Sequence, residues 1–405
     1  MRAAHPLTPR TSSTLRRLTA LAATATLALT ISSCSIGEGT QSLVITSLTA
    51  QEADASKTQD SSNHIDNGPS STASGTVTMS TSYVAGGIGS TAKELTTIVV
   101  SRERSTDKFQ WAVSIKPAVA DQERTEYTNS AQSAMNNAMG RSSSGSAVVS
   151  PDGRHLSLIL LPAEQQTGET AADLRTHIIV LEAKTGKTVR DATVSGVVLG
   201  QALTNSTLAV ETAQNYFPAG SGKGTITTFS LTETSAQPSS FPTDKWLVGA
   251  TRENLVLAPN RLPDDCVYGC SLTTVSLVST DGTTTKSVSG VTAVHPGGWI
   301  HRFADPKAAS ALHLRSKAAS EEERKAISSS WETLEQQLVN PSTKRTIDIT
   351  GKSVSERSVP TGPGLVITQE VPTGNGSTES KPAFWLSSTD DGHPHTENLE
   401  QFKDE

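Results

Sequence analysis

Three short segments end like a phosphate-binding loop, with a Gly-Lys pair before a small residue: residues 186–188, 220–225 and 351–353. A working loop needs another Gly five residues before the Gly-Lys pair and a helix after it, so that backbone N–H groups surround the phosphates. That earlier position is filled instead by Leu181, Phe217 and Thr346. We therefore predict no phosphate-binding loop in this chain.

Carboxylates and histidines offer the next candidates for chemistry. Asp264-Asp265 and Asp390-Asp391 are adjacent pairs that could hold a cation or act as acid and base. Neighbouring side chains on a strand point to opposite faces, so we interpret both pairs as surface residues. His393 and His395 lie in a polar tail, and we interpret them as solvated. With no Gly-x-Ser-x-Gly nucleophile motif, we predict no catalytic, metal-binding or cofactor-binding residue.

The first of three cysteines, Cys34, closes a distinctive N-terminal pattern. Four arginines and no acid precede an apolar run of 14 residues, 18–31, which ends in Ile31-Ser32-Ser33-Cys34. The run is too short to span a bilayer but suits a signal peptide. The pattern resembles the lipobox of bacterial lipoproteins, which implies a signal peptide over residues 1–33 and a lipid on Cys34. The alternative is an ordinary secretory signal with a chance cysteine.

Lipidation at Cys34 implies an anchor at the extracytoplasmic face of the cell membrane. The signal peptide contains four of the 34 basic residues and none of the 40 acidic ones. Its removal leaves 30 basic residues, so the net charge of the mature chain is −10. That charge argues against nucleic-acid partners and against basic-patch binding to anionic lipid. The membrane is therefore expected as a partner through the lipid alone.

An exported protein lives in an oxidising compartment, which bears on the remaining cysteines, Cys266 and Cys270. They are separated by three residues that include Gly269, and Gly allows the tight bend that a small disulfide loop needs. We predict a disulfide between Cys266 and Cys270 that closes a single turn. Two free thiols are the first alternative. A metal site is the second, and it would need two further Cys or His ligands, which are not nearby.

Composition indicates a β-rich domain that follows a polar N-terminal segment. Ser and Thr make up about a quarter of the 405 residues, charged residues 18% and aromatic residues 4%. Residues 51–75 are almost wholly small and polar, so we predict a flexible, disordered tether over residues 34–75. The apolar residues 43–48 are the exception and could form an added strand.

From residue 76 to 405, short β-like runs alternate with turns, which indicates a sandwich, barrel or propeller. Segments 178–196, 275–290 and 345–362 each read as strand, glycine turn and polar strand. The turn glycines Gly186, Gly282, Gly351 and Gly392 are 96, 69 and 41 residues apart. A degenerate turn near Thr234 divides the 96 into 48 and 48, and the 69 contains a helical insertion, so the unit of 41 to 48 residues matches one propeller blade. We predict an all-β propeller of about six to seven four-stranded blades.

Two turn sequences carry a resemblance that supports the propeller. Residues 150–154, Ser-Pro-Asp-Gly-Arg, resemble the turn of WD40-like and TolB-type propellers. Residues 181–190 resemble the hairpin of quinoprotein-type (PQQ-like) repeats, with Glu182 where Asp is usual. A quinoprotein dehydrogenase of the alcohol-oxidising branch would have neighbouring cysteines near the quinone. Cys266 and Cys270 are four apart, so no cofactor is predicted.

One helical insertion, at about residues 306–340, interrupts the β pattern. Ser320 and Glu323 form a capping-box pattern, and an apolar stripe at helical spacing follows, ending before Asn340-Pro341: Ile327, Trp331, Leu334 and Leu338. Four further tryptophans lie in or beside predicted strands, where they either pack between blades or offer a platform for a glycan: Trp111, Trp246, Trp299 and Trp385.

The combined prediction is a lipid-anchored, non-catalytic propeller that binds or assembles partners at one loop-rich face, the partner being a protein or a glycan. One alternative is an enzyme on the same scaffold, an oxidoreductase or a glycan-active hydrolase using clustered carboxylates. Another is a sensor accessory to a membrane protein. The identity of the partner, the binding face and the oligomeric state are not encoded in any motif of the sequence.

Overall fold

A computed structural model describes residues 43–58, 64–84, 93–119, 147–160, 175–214, 224–259, 272–373 and 377–402. The predicted signal peptide, Cys34, the Cys266–Cys270 segment and Asp264-Asp265 lie outside these residues. Within them, no helix is both long enough and apolar enough to cross a membrane.

The chain builds antiparallel sheets one after another, and each sheet is a blade of a propeller. Blade 1 contains β1 (Val44–Leu48), β2 (His64–Ser71), β3 (Thr76–Val84), β4 (Lys93–Arg102) and β5 (Phe109–Lys116). Blade 2 contains β6 (Ala147–Val149), β7 (His155–Ile159), β8 (Arg175–Glu182) and β9 (Thr188–Ser195). Blade 3 contains β10 (Val197–Leu203), β11 (Thr207–Ala213), β12 (Gly224–Ser230) and β13 (Ser239–Thr243).

The second half of the chain repeats this plan. Blade 4 contains β14 (Trp246–Ala250), β15 (Leu255–Ala258), β16 (Thr273–Val278) and the first part of β17 (Thr284–His295). Blade 5 contains the rest of β17, β18 (Trp299–Phe303), β19 (Gln336–Asn340) and β20 (Arg345–Asp348). Blade 6 contains β21 (Lys352–Val359), β22 (Gly362–Pro372) and β23 (Thr378–Ser387). The prediction of an all-β propeller of six to seven blades is confirmed, with six blades among the described residues.

The long strand β17 belongs to two blades. Its residues 284–291 pair with β16, and its residues 291–295 pair with β18. A register shift between Val291 and Ala293 marks the change of partner. Gly290, just before it, has φ +74° and packs against Phe303 O and Pro306, so a side chain there would meet the neighbouring strand. Blades 4 and 5 consequently form one seven-stranded sheet.

Apolar side chains from facing sheets fill five of the six junctions between neighbouring blades. Each of these clusters takes buried residues from both sides, as with Val113 of blade 1 and Leu158 of blade 2, and the same holds for blades 2–3, 3–4, 4–5 and 5–6. Alternation along each strand produces this arrangement, because a strand buried between two sheets sends successive side chains to opposite faces. These clusters hold the ring together.

The sixth junction, which we call the seam, lies between blade 1 and blade 6 and is polar. Arg104 donates from Nε to Ser358 Oγ (2.9 Å) and from one Nη to Pro360 O (2.9 Å), and its other Nη donates to Thr72 O. Ser71 Oγ and Ser358 Oγ lie 3.0 Å apart. Among the described residues, no apolar cluster spans the seam, because each of its two faces is covered by a local segment.

On the blade 1 side of the seam, that covering segment is helix α1 (Ala50–Thr58). Its Ala53 is fully buried against Val100 and Ala112, and Asp54 pairs with Arg102 at 2.6 Å. The predicted tether of residues 34–75 is therefore wrong for residues 44–58 and 64–75, because β1, α1 and β2 are parts of blade 1. The added strand expected at residues 43–48 is confirmed as β1, which pairs with β5.

The insertion in blade 5 is a pair of helices, α2 (Pro306–Ala318) and α3 (Glu321–Thr333). Ser320 caps α3, and both hydrogen bonds of the capping box with Glu323 are present, as predicted. The helix ends seven residues before the predicted limit at Asn340, because Leu338 belongs to β19 and is buried against blade 6. Ile327 and Trp331 instead pack on Phe303.

The turn glycines have the conformation that the hairpins require. Gly186, Gly282, Gly351 and Gly392 have φ values between +67° and +92°, a region that Gly occupies without strain. Gly186 and Gly282 turn the last hairpin of blades 2 and 4. Gly351 lies instead between β20 of blade 5 and β21 of blade 6, so the equivalence of its turn with the other two is wrong.

Candidate functional site

A cavity of ≈ 730 Å³ lies on the propeller axis. Its lining includes the innermost strand of every blade: Ser70 of β2, Val148 of β6, Gln201 of β10, Ala250 of β14, Val294 of β17 and Glu356 of β21. These residues lie toward the C-terminal ends of their strands, next to the tight turns that join first and second strands. The ring of blades thus brings residues far apart in sequence onto one concave surface.

The cavity wall formed by blades 2 to 5 is mainly apolar. Val148 and Val149 come from blade 2, Ala202 and Leu203 from blade 3, and Ala250 from blade 4. These residues belong to inner strands whose side chains also fill the clusters between blades. The same packing that holds the ring together therefore produces an apolar surface toward the axis.

The opposite wall, formed by blades 6 and 1, carries the charged groups. Arg104 reaches it from the turn between β4 and β5, and Glu356 and Arg357 lie on β21. Burial lowers the pKa of Arg104 from its ordinary value, although a guanidinium stays charged in proteins. This wall therefore presents two cations and one anion on either side of the seam.

Glu356 is engaged by a histidine on the neighbouring blade. His295 Nδ1 lies 2.8 Å from Glu356 Oε1, and the His295 ring stacks on His301 with centroids 6.1 Å apart. His301 Nε2 lies 3.0 Å from Gln336 Oε1. Burial, followed by the charge of His295, lowers the pKa of His301 to about 4. His301 is thus held neutral behind the cavity wall at pH 7.

The C-terminal segment closes the cavity beside blade 6. A short 3-10 helix, Leu399–Phe402, places Phe402 against Val359, Val366 and Trp385, and both Gln401 and Phe402 line the cavity. Before this helix, His395 exchanges two backbone hydrogen bonds of 2.9 Å with Trp385. The segment therefore occupies the position of a fourth strand beside β23.

The side chain of His395 holds the C-terminal segment beside β23 through two carboxylate contacts and a ring contact. Its Nε2 lies 2.7 Å from Asp390 Oδ2 and its Nδ1 lies 2.9 Å from Glu397 Oε1, while its ring stacks on Trp385 at 3.9 Å. Burial lowers the pKa of His395, but the hydrogen bonds and charges of the two carboxylates outweigh it, and the net pKa is raised. The interpretation of residues 393–395 as a solvated tail is therefore wrong for His395.

The predicted carboxylate pair Asp390-Asp391 does not converge on a common site. Asp390 contacts His395, whereas Asp391 Oδ2 lies 3.2 Å from Arg345 and 2.9 Å from His393. Within the described part of the chain, no group of three or more Asp, Glu, His or Cys is arranged to hold a metal ion. Of the phosphate-loop look-alikes, residues 186–188 lead into β9 and residues 351–353 into β21.

The four strand-associated tryptophans are core residues, with exposures of 8% or less: Trp111, Trp246, Trp299 and Trp385. Trp111 Nε1 donates to Ala183 O of blade 2 at 2.9 Å, and its ring covers Gly186, where a Cβ would lie 2.5 Å from the ring. Inter-blade packing, one of the two interpretations from the sequence, accounts for Trp111. The degree of burial leaves no face of these four rings open as a glycan platform.

Sequence patterns did not point to the residues that line the charged wall. His295, Glu356 and Arg357 carry no local motif, and His295 contacts Glu356 because β17 and β21 are neighbouring inner strands. Arg104 lies in a polar turn that resembles any exposed hairpin. These residues could have been found only if the number and limits of the blades had been known, because that would have identified the inner strand of each blade.

No protein-family model matches the chain, and no curated protein is similar to it in sequence. Similar solved structures include the β-propeller domain of the Trilobed protease from Pyrococcus furiosus (11% identity, 81% of this chain and 85% of that one, TM-score 0.37). Others are lmo1340 of Listeria monocytogenes EGD-e (10%, 84% and 85%, 0.40) and TolB of Acinetobacter baumannii (11%, 86% and 83%, 0.30). The assignment of six blades to this chain follows from the order and packing of its own sheets.

Proposed function

We propose that this protein is a lipid-anchored β-propeller at the extracytoplasmic face of the cell membrane, and that it binds a ligand in its central cavity without catalysing a reaction. The observation that carries the proposal is the axial cavity, to which the inner strands of all six blades contribute. Its volume, ≈ 730 Å³, lies within the range of about 300–1,000 Å³ that is usual for ligand sites.

The lining supports binding over the enzymatic alternative. A glycan-active hydrolase of the common type uses two carboxylates that flank the scissile bond. Among the described residues that line the cavity, Glu356 is the one carboxylate, and its Oε1 already contacts His295. The mixture of apolar and polar lining is instead typical of a pocket that binds and orients a ligand.

The binding test compares two tryptophan substitutions in the full chain. Ala250→Trp places a large ring in the cavity, while Thr232→Trp places the same ring on the exposed hairpin between β12 and β13. Membrane extract is passed over each immobilised protein, and the retained small molecules, glycans and proteins are identified by mass spectrometry. We expect the unaltered protein and Thr232→Trp to retain at least one molecule that Ala250→Trp does not retain. The proposal is wrong if every retained molecule survives Ala250→Trp.

The anchor is tested separately, in cells supplied with a labelled fatty acid. If Cys34 carries the lipid, Cys34→Ala abolishes the label and releases the protein from the membrane fraction. Cys266→Ala is the matched control and should keep both the label and the membrane location. Unchanged labelling of Cys34→Ala would contradict the anchor.

A further inference from the structure

We infer that the axial cavity binds an amphipathic anion, a small molecule with one acidic head group and an apolar body. This inference rests on the proposed binding function and deepens it by naming the ligand class. The structural basis is the division of the cavity into an apolar wall and a cationic wall.

The apolar wall would receive the body of the ligand. Its apolar side chains come from four consecutive blades: Val148, Val149, Ala202, Leu203, Ala250 and Val294. Apolar surface of this kind favours a hydrocarbon or an aromatic body, because its removal from water is favourable roughly in proportion to the area buried. A fully polar ligand such as a free sugar would leave this wall unused.

The cationic wall would receive the head group. Arg104 and Arg357 line it, and the only carboxylate among the described lining residues, Glu356, is engaged by His295 at 2.8 Å. Two arginines therefore contribute to the lining, Arg104 through the seam and Arg357 with its Nε donating to Ser355 Oγ at 3.4 Å, in a chain whose net charge is −6. A guanidinium binds carboxylate and phosphate groups through charge-assisted hydrogen bonds, which are stronger than neutral ones.

Arg104 keeps donors available for such a head group. Among the described residues, three of its N–H groups donate, to Ser358 Oγ, Pro360 O and Thr72 O, and a guanidinium has five. The hydroxyls of Ser71 and Ser358 lie beside it; since one of them donates to the other, one hydroxyl proton is left to donate to an anion. The cationic wall is thus a cluster of donors around the seam, where the ring lacks an apolar cluster among the described residues.

The test uses four probes that share a twelve-carbon tail: dodecanoate, dodecyl phosphate, dodecanol and dodecylammonium. Binding to the full chain carrying Cys34→Ala is measured by titration calorimetry, below the concentration at which each probe forms micelles. We expect one or both acids to bind at least about tenfold more tightly than the alcohol, with the amine weakest, since a hydrogen bond to a charged group contributes more than a neutral one. The tighter acid identifies carboxylate or phosphate as the preferred head.

Variants then locate the head group and the tail. Arg357→Gln should weaken binding of the acids about tenfold and leave dodecanol binding unchanged, which also shows that the variant is folded. Arg154→Gln is the matched control, because its side chain is 78% exposed and outside the cavity lining. Ala250→Trp should weaken binding of all four probes.

Several results would overturn the inference. Dodecanol binding as tightly as both acids, or an equal loss for acids and alcohol in Arg357→Gln, would show that the cavity does not select an anion. Probe binding that is unaffected by Ala250→Trp would place the probe elsewhere. If none of the four probes binds, but the unaltered protein still retains a membrane molecule that Ala250→Trp loses, the ligand class is wrong and the binding function is unaffected.

Discussion

At the scale of single residues, the histidines around the cavity have opposite electrostatic environments. His301 is buried behind the wall, with His295 stacked on it and Gln336 as its hydrogen-bond partner. His395 is flanked by two carboxylates. The first environment disfavours the imidazolium and the second favours it. These two residues should therefore affect stability in opposite directions as the pH changes.

Substitution of His301 should reduce the acid sensitivity of the fold. The pKa of His301 is about 4 in the native state and 6.5 when unperturbed, so between these values the unfolded chain binds a proton that the native chain does not. The free energy of unfolding falls by about 3 kcal/mol as the pH drops through this range. We expect His301→Gln to show a smaller loss between pH 7 and pH 4.5 in urea denaturation. His393→Gln, with a side chain 59% exposed, is the control, and an unchanged loss in His301→Gln would contradict the prediction.

His395 should show the reverse dependence. Its native pKa is raised, so its ionic contribution is present below the ordinary value of about 6.5 and is lost as the pH rises through the raised value. We expect His395→Gln to lower the thermal midpoint more at pH 6 than at pH 9. A difference from the unaltered protein that is equal at both pH values would show that only the stacking on Trp385 matters.

At the scale of elements, local signals predicted turns and caps well. The capping box at Ser320 and the glycine turns at Gly186 and Gly282 have the predicted geometry, because short-range hydrogen bonds and backbone sterics decide them. The end of α3 was predicted wrongly because Leu338 continues the helical stripe in sequence. Its burial in the sheet depends on Leu365 and Leu386, and no helical pattern encodes a partner that far away.

Removal of the cap should test the helical insertion directly. Ser320→Ala deletes the hydroxyl that accepts from Glu323 N and donates to Glu323 Oε2, while the hydrogen bond from Ser320 N to that carboxylate remains. We expect a loss of about 1 kcal/mol in the free energy of unfolding, measured by urea denaturation. Ser320→Thr keeps the capping oxygen and should lose much less. Equal losses in the two variants would show that the cap does not stabilise α3.

At the scale of the whole molecule, the ring is closed unevenly. Five junctions are packed with apolar side chains, and the seam depends on hydrogen bonds from Arg104 and the Ser71–Ser358 contact. The sequence predicted a propeller because its turns recur at about blade spacing. It could not predict the seam, because closure depends on which segment covers the faces of the first and last blades, and the segment that covers blade 1 resembled a tether.

Loss of the seam contacts should loosen the two terminal blades first. In Arg104→Ala, we expect faster hydrogen exchange in β2 of blade 1 and in β21 and β22 of blade 6, with β11 of blade 3 and β15 of blade 4 unchanged. The reason is that local opening follows the lowest density of buried contacts. Arg154→Ala is the control on an exposed turn. Uniform acceleration across all six blades would show that the ring opens as one unit.

The double membership of β17 also has a mechanical consequence. This strand has 12 residues and, at about 3.3 Å per residue, extends for roughly 40 Å from the rim hairpin at Gly282 to His295 at the cavity. At other blade boundaries the outer strand ends before the next inner strand begins, as at Gly196 between β9 and β10 and at residues 244–245 between β13 and β14. β17 instead crosses the boundary as one hydrogen-bonded strand, so a displacement at the rim of blade 4 would be transmitted to His295 at the cavity without an intervening loop.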